Sequence, residues 1–244
     1  IIYKSKKGFD LYTNFSRKII LNNKNVSSFL NKKYKNKKKE TDLFIGFFGY
    51  ELLNNLINIK IPNQKNINFP KGIFYKPEKI LKISNKLNYK NEDKFKGSKF
   101  KININKNSYE RIFNQFKKKI KSGETYQIKI CTKYKTKSSI NPLDFFARLS
   151  KTNLAPEAFM IKDNNYSIIS CSPENLITKE GSNISSKPIA GTVKKTKTLN
   201  KIKALNYFKK NLKETKEHNM IVDMERNDLS RICKVGSVKL HKQK

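Results

Sequence analysis

Apolar and polar positions along the 244-residue chain follow two different periods. Short apolar runs at 43–53, 57–61 and 72–83, punctuated by Pro62, Pro70 and Pro77, predict β-strands joined by loops in the N-terminal third. Residues 85–97 are almost wholly polar and read as an exposed connector. From Ser108 the period lengthens: Tyr109, Ile112, Phe113, Phe116 and Ile120 form the stripe of an amphipathic helix that Gly123 ends. Alternation at 125–134 predicts a strand, and residues 142–151 a short helix with Leu143, Phe146 and Leu149 on one face. Four more strands are expected at 158–161, 166–171, 175–179 and 184–188, linked by tight turns at 163–165, 172–173 and 180–182. A single long helix is expected over about residues 199–230, with Leu205, Phe208 and Leu212 facing inward.

Composition changes this picture in one respect. Lys and Arg number 54 against 19 Asp and Glu, for a net charge of +35, while 36% of the residues are hydrophobic and include 16 Phe and 11 Tyr. That apolar content can build a core, so disorder is excluded as a description of the whole chain. A charge of this size ordinarily points to nucleic acid or an anionic surface. Here the excess is Lys, accompanied by Asn and Ile, as an A/T-biased genome produces at unconstrained surface sites. Arginine, the residue suited to bidentate phosphate contacts, occurs at only five positions. The lysine run at 32–39 and the spread from Lys194 to Lys216 therefore read as solvated faces, and neither a nucleic acid nor a membrane is expected as partner. Cys131, Cys171 and Cys233 are odd in number and widely spaced, which indicates neither a disulfide framework nor a zinc site and suits a reducing cytoplasm. The apolar run at 43–53 is interrupted by Gly46, Gly49 and Glu51 and is too short for a bilayer.

Three segments carry more chemistry than composition explains. In Ser172-Pro173-Glu174 an acidic residue follows proline at a strand end, where one carboxyl can be aimed into a cleft; spacing alone fits a surface turn better. In Lys187-Pro-Ile-Ala-Gly-Thr192, Gly191 permits close approach of a ligand and Thr192 offers a hydroxyl, though such Gly-Thr pairs are common. Glu214 and Glu217 share a helix face at i, i+3 and would repel without a cation; read by themselves they are solvated carboxylates paired with Lys210, Lys213 or Lys216.

Taken together the segments resemble the chorismate-utilising enzymes, specifically component I of aminodeoxychorismate synthase and of anthranilate synthase. The matching blocks run in the family's order: Gly46-Phe-Phe-Gly-Tyr-Glu51, Ser122-Gly-Glu-Thr-Tyr-Gln127, Ala155-Pro156, Ser170-Cys-Ser-Pro-Glu174, Lys187-Pro-Ile-Ala-Gly-Thr192, and Glu214-x-x-Glu217 through Asp228, closing with Gly236-Ser-Val238. The resemblance implies an α+β fold of two packed β-sheets with outer helices. It implies a β-rich N-terminal part at 1–97 and the first part of a catalytic region at 98–244. The family's sequence continues beyond Val238, so the chain is expected to be incomplete at the C-terminus and inactive by itself; Ile1 in place of Met suggests a missing start as well.

The implied reaction is magnesium-assisted amination of chorismate with loss of its 4-hydroxyl. By resemblance Glu174 is the general acid, Glu214 and Glu217 bind Mg²⁺, and Ala190, Gly191 and Thr192 line the substrate ring. Gln127 stands where water-using relatives carry a lysine base, which favours ammonia as nucleophile. Ammonia would come from a glutamine amidotransferase subunit, since the chain's cysteines lack glutaminase context. Tyr126, Ala155-Pro156-x-x-Phe159 and Met220-Ile-Val-Asp223 look closer to aminodeoxychorismate synthases. Ala190, where many of those enzymes carry an attacking lysine, and His218 are more usual in anthranilate synthases. The expected product is aminodeoxychorismate, with anthranilate as the alternative. A basic, non-catalytic binding protein of the same fold is the remaining one, disfavoured by the joint presence of Gln127, Glu174, Glu214 and Glu217.

Overall fold

The computed structural model describes residues 1–32, 39–57, 69–84, 87 and 97–241. The expected strand at 57–61, Ile57 apart, and the connector at 85–97, Leu87 and Gly97 apart, lie outside these residues, as does most of the lysine run at 32–39. In chain order the elements are β1 (Ile2–Ser5), β2 (Gly8–Leu21), α1 (Val26–Asn31), β3 (Ile45–Phe48), a 3₁₀ turn (Tyr50–Asn55), β4 (Gly72–Ile83), β5 (Lys101–Ile102), α2 (Lys106–Lys121), β6 (Tyr134–Lys135), α3 (Pro142–Thr152), β7 (Glu157–Lys162), β8 (Ser167–Ser172), β9 (Thr178–Glu180), β10 (Asn183–Ser185), α4 (Lys201–Lys210) and α5 (Leu212–Ser230). The chain divides into two units, one of Ile1–Leu87 with Arg148–Lys244, the other of Asn88–Ala147. The α+β class expected from the resemblance is the class observed.

The larger unit is built on a six-stranded sheet in the order β3-β4-β2-β1-β7-β8. Every neighbouring pair is antiparallel. Its spine is the β2–β4 ladder, which runs from Phe9 opposite Ile83 to Leu21 opposite Gly72. The ladder bulges between Phe15 and Arg17, opposite Pro77. Proline has no N–H to give, so a regular ladder cannot pass through it; an extra residue on β2, with Asn14 in left-handed backbone at φ 51°, absorbs the break.

Alternation along β4 buries side chains on both faces. Ile73 and Tyr75 join Ile161 of β7, while Phe74 packs on the cluster of Leu21, Val26 and Leu52. In a flat sheet β4 and β7 would stand three strand spacings apart, about 14 Å. Yet the Tyr75 hydroxyl donates to Asp163, just after β7, at 2.7 Å, and Lys18 of β2 reaches the same carboxylate oxygen at 2.7 Å. The sheet therefore curls, and Asp163 clasps its two halves across the concave side.

The smaller unit pairs β5 with β6 and carries α2, whose Asn105 cap accepts the Ser108 N–H at 2.8 Å. Gly123, at φ +78°, lies just past the helix, as expected of a helix-ending glycine.

Several expectations are corrected. The strand at 125–134 does not form: Ile128 and Ile130 are half-buried between exposed neighbours, so the alternation is real, but only Tyr134 finds a partner strand. The run at 43–53 is a strand only to Phe48, after which Gly49 leads into the 3₁₀ turn. The single helix at 199–230 is two helices, α4 and α5, broken at Asn211, whose backbone is extended at φ −89°, ψ 95°. Leu212 consequently points away from the core and is 71% exposed. The β1–β2 hairpin, Ile2 to Leu21, lies outside every run that the apolar pattern marks. No helix among the described residues is long and apolar enough to cross a membrane.

The Lys18 ammonium and the Tyr75 hydroxyl hold the Asp163 carboxyl well below its usual pKa. A carboxyl depressed in the folded state contributes stability that is present above its unfolded pKa and lost as the pH falls through the folded one. Thermal unfolding should accordingly show Asp163→Asn less stable than the parent at neutral pH. The gap should narrow as the pH drops below about 4. Parallel curves for the two proteins would show that the clasp contributes no pH-dependent stability.

Candidate active site

The β7–β8 ladder ends with Glu157 opposite Ser172, and the chain turns there into Pro173 and Glu174. One hydroxyl shapes that turn. Ser172 Oγ accepts from the Glu174 N–H at 3.3 Å and donates to the Glu174 carbonyl at 3.0 Å, the local bonding that serine offers at strand ends. Glu174 is exposed, and its Oε1 accepts the backbone N–H of Ile189 at 2.8 Å. A second tie, from Ser186 Oγ to the Leu176 carbonyl at 2.7 Å, fixes the start of the same loop. Two segments read separately from the sequence, the Ser-Pro-Glu turn and the loop ending Ala190-Gly191-Thr192, are thus one structure. Within that loop Ala190 is half-buried and Thr192 exposed.

Gly191 connects the loop to the third segment. Its backbone lies at φ +78°, and a Cβ there would overlap the Glu214 carboxylate and come 2.8 Å from the Phe208 ring. Absence of a side chain is what lets Glu214 lie on the loop. Glu214 occupies the first turn of α5, where Asn211 Oδ1 accepts its N–H at 3.3 Å and the Thr215 hydroxyl bonds back to the Phe208 carbonyl at 2.9 Å. The cap that breaks the long helix is therefore the device that aims Glu214. Asn211-x-x-Glu214 has the spacing of a capping box, which marks a helix start in the sequence itself.

Glu217 follows on the same helical face, and both residues are half-buried. Although Lys210, Lys213 and Lys216 surround them in sequence, no Lys or Arg lies within ion-pair distance of either glutamate among the described residues. The solvated-pair reading is not what the structure holds. No third His, Cys, Asp or Glu joins them among the described residues. Two unpaired carboxylate groups fit a hard divalent cation that keeps several of its own waters. Gln127 belongs to the other unit and is exposed, with its carbonyl accepting the Thr125 hydroxyl at 3.2 Å.

A family model described as chorismate binding enzyme matches residues 2–244. The chain belongs to that family. Among curated relatives, anthranilate synthase component 1 of Buchnera aphidicola subsp. Pemphigus spyrothecae is 29% identical over 80% of this chain and 45% of its own length. Aminodeoxychorismate synthase component 1 of Bacillus subtilis is 32% identical over 58% of this chain and 30% of its own. The chain spans about half the length of curated relatives matched along most of it. The crystal structure of anthranilate synthase component I from Streptococcus pneumoniae TIGR4 superposes with a TM-score of 0.76 at 22% identity, covering 96% of this chain and 63% of that one. That likeness establishes the fold that this chain shares with its relative.

Gly191→Ala places a β-carbon at left-handed backbone, which costs about 1–2 kcal/mol, and displaces the Glu214 carboxylate as well. Urea unfolding should show a loss of about 1–3 kcal/mol. Adding Glu214→Ala should return part of it, because the clash is removed; strictly additive losses would mean that Glu214 does not rest on Gly191.

Proposed function

We propose that the protein aminates chorismate with ammonia and yields aminodeoxychorismate. The observation that carries this reading is the convergence of Glu174, the Ala190–Thr192 loop and Glu214 through the Ile189 hydrogen bond and the side-chain-free face of Gly191. Glu174 donates the proton to the departing 4-hydroxyl, which hydroxide's poor leaving ability requires. With Oε1 already accepting an N–H, Oε2 is the oxygen left to face the leaving group. Glu214 and Glu217 hold Mg²⁺, which supplies positive charge to the substrate carboxylate when bound. Ala190, Gly191 and Thr192 line the ring. Ala190 has no nucleophile, so ammonia attacks directly, and Gln127 stands in place of the base that attack by water would need.

The ammonia is delivered by a glutamine amidotransferase subunit, and the reaction is placed in the cytoplasm. Relatives with either product name support the common chemistry. Tyr126, the Ala155-Pro156-x-x-Phe159 pattern and Met220-Ile-Val-Asp223 favour aminodeoxychorismate; Ala190 and His218 favour anthranilate as the second reading. Chromatography of the product made by the full-length protein from chorismate and ammonium decides between them.

In that protein Glu217→Gln should raise the magnesium requirement and weaken chorismate binding. Glu174→Gln should lower turnover by about 10²–10⁴-fold while magnesium-dependent chorismate binding persists. If both variants turn over like the parent, neither carboxylate takes part. The purified subunit should use ammonium salts at high pH and remain inert with glutamine until a second subunit is added. Glutamine-dependent activity of the single subunit would remove the partner from this account.

A further inference from the structure

We propose that Glu157 is a positioning residue for the Glu174 carboxyl, acting through Asn175; this rests on the reading of Glu174 as proton donor. Glu157 opens β7 and pairs across the ladder with Ser172, the residue that shapes the turn. Both of its carboxylate oxygens are engaged. Oε2 accepts the hydroxyl of Tyr3, on β1, and Oε1 accepts the Asn175 side-chain N–H at 3.1 Å. The other end of the same amide accepts the Thr178 hydroxyl at 3.1 Å. Asn175 is therefore gripped on both sides, and an amide flip would set its carbonyl against the Glu157 carboxylate.

Glu174 stands between two fixed points. On one side Ser172 takes up both its N–H and its carbonyl; on the other Asn175 is anchored to the sheet through Glu157. Hydrogen bonds to an ionised acceptor are about twice as strong as neutral ones, so the Glu157 carboxylate anchors better than an amide of the same length could. The Tyr3 hydroxyl is a steady donor to it: burial first, then the Glu157 hydrogen bond, push its pKa well up and keep it protonated throughout the neutral range. Tyr3 sits opposite Phe159 in the β1–β7 pairing, so the relay is rooted in the rigid sheet. The remaining freedom of Glu174 lies in its side chain, which the Ile189 N–H restrains. Proton transfer to a leaving group demands placement to within about 0.5 Å, and a turn on an unanchored strand end does not hold that tolerance.

The test uses the full-length protein with chorismate, magnesium and ammonium. Glu157→Ala should lower kcat about tenfold and leave the chorismate KM and the magnesium requirement unchanged. Glu157→Gln should stay within about threefold of the parent, since the Tyr3 hydroxyl can reverse from donor to acceptor while the amide oxygen still holds Asn175. In a Glu174→Gln background Glu157→Ala should cause no further drop, because a residue acting only through Glu174 has nothing left to position. An equal drop in both backgrounds, or a change confined to KM, overturns the proposal. If Glu157→Ala does not fold, Asn175→Ala takes its place with the same expectations in both backgrounds. A normal loss for Glu174→Gln beside unimpaired Glu157→Ala defeats this inference alone. Unimpaired Glu174→Gln defeats the proton-donor reading, and this inference with it.

Discussion

The curl of the six-stranded sheet is the constraint from which the rest of the larger unit follows. Antiparallel strands twist by themselves, but twist alone does not carry β7 to within a hydrogen bond of β4. The clasp at Asp163 does, with one oxygen shared between an ammonium from β2 and a phenol from β4. Apolar contact of Ile161 with Ile73 and Tyr75 lies along the same line, so burial and charge act in one direction. Because β8 is paired only to β7 among the described residues, its far end is set by how firmly that hairpin is held against the other strands of the sheet. The Ser172-Pro173-Glu174 turn is at that end.

From the turn outward the site is assembled by single, directional contacts. Each joins segments far apart in sequence: Glu174 to Ile189, Gly191 to Glu214, Glu157 to Tyr3. None is a large burial of apolar surface, and the residues concerned are half-buried or exposed. Geometry of this kind is costly to rebuild once a link is lost. It also places polar groups where a substrate can reach them, which a sealed core cannot do.

The positive charge is matched to acidic side chains at few places. Glu110 and Glu124 pair with lysines, and Asp223 with Arg226, on the surface. Glu214 and Glu217 have no such partner among the described residues, and Asn211, which starts a new helix in front of them, sets the Glu214 carboxylate against the Gly191 loop.

How much of this was legible depended on the range of the interactions involved. Local patterns carried α2, α3, β4 and the β7–β8 hairpin, and located the β9–β10 hairpin by its turn while overlapping its strands only at Thr178–Lys179 and Ile184–Ser185, since helix period, alternation and turn residues act within a few positions. The ordered motif blocks were sufficient to point to the chorismate binding enzymes and to single out Glu174, Gly191, Glu214 and Glu217. Residues 125–134 show the limit. Their alternation is as regular as that of β4, yet a strand requires a partner, and which strands find partners is a property of the whole chain. The break at Asn211 was written in the sequence as a cap and was outweighed by the apolar period running through it. By itself the sequence determined the class of fold, the family and the identities of the residues with chemistry to offer. Only the tertiary structure decided that Glu174 meets the Ile189 N–H, that Glu214 lies on Gly191 free of lysine, and that Tyr3, Glu157 and Asn175 form one relay. Each of those is a contact across 15 residues or more, made by backbone placement that no local period encodes.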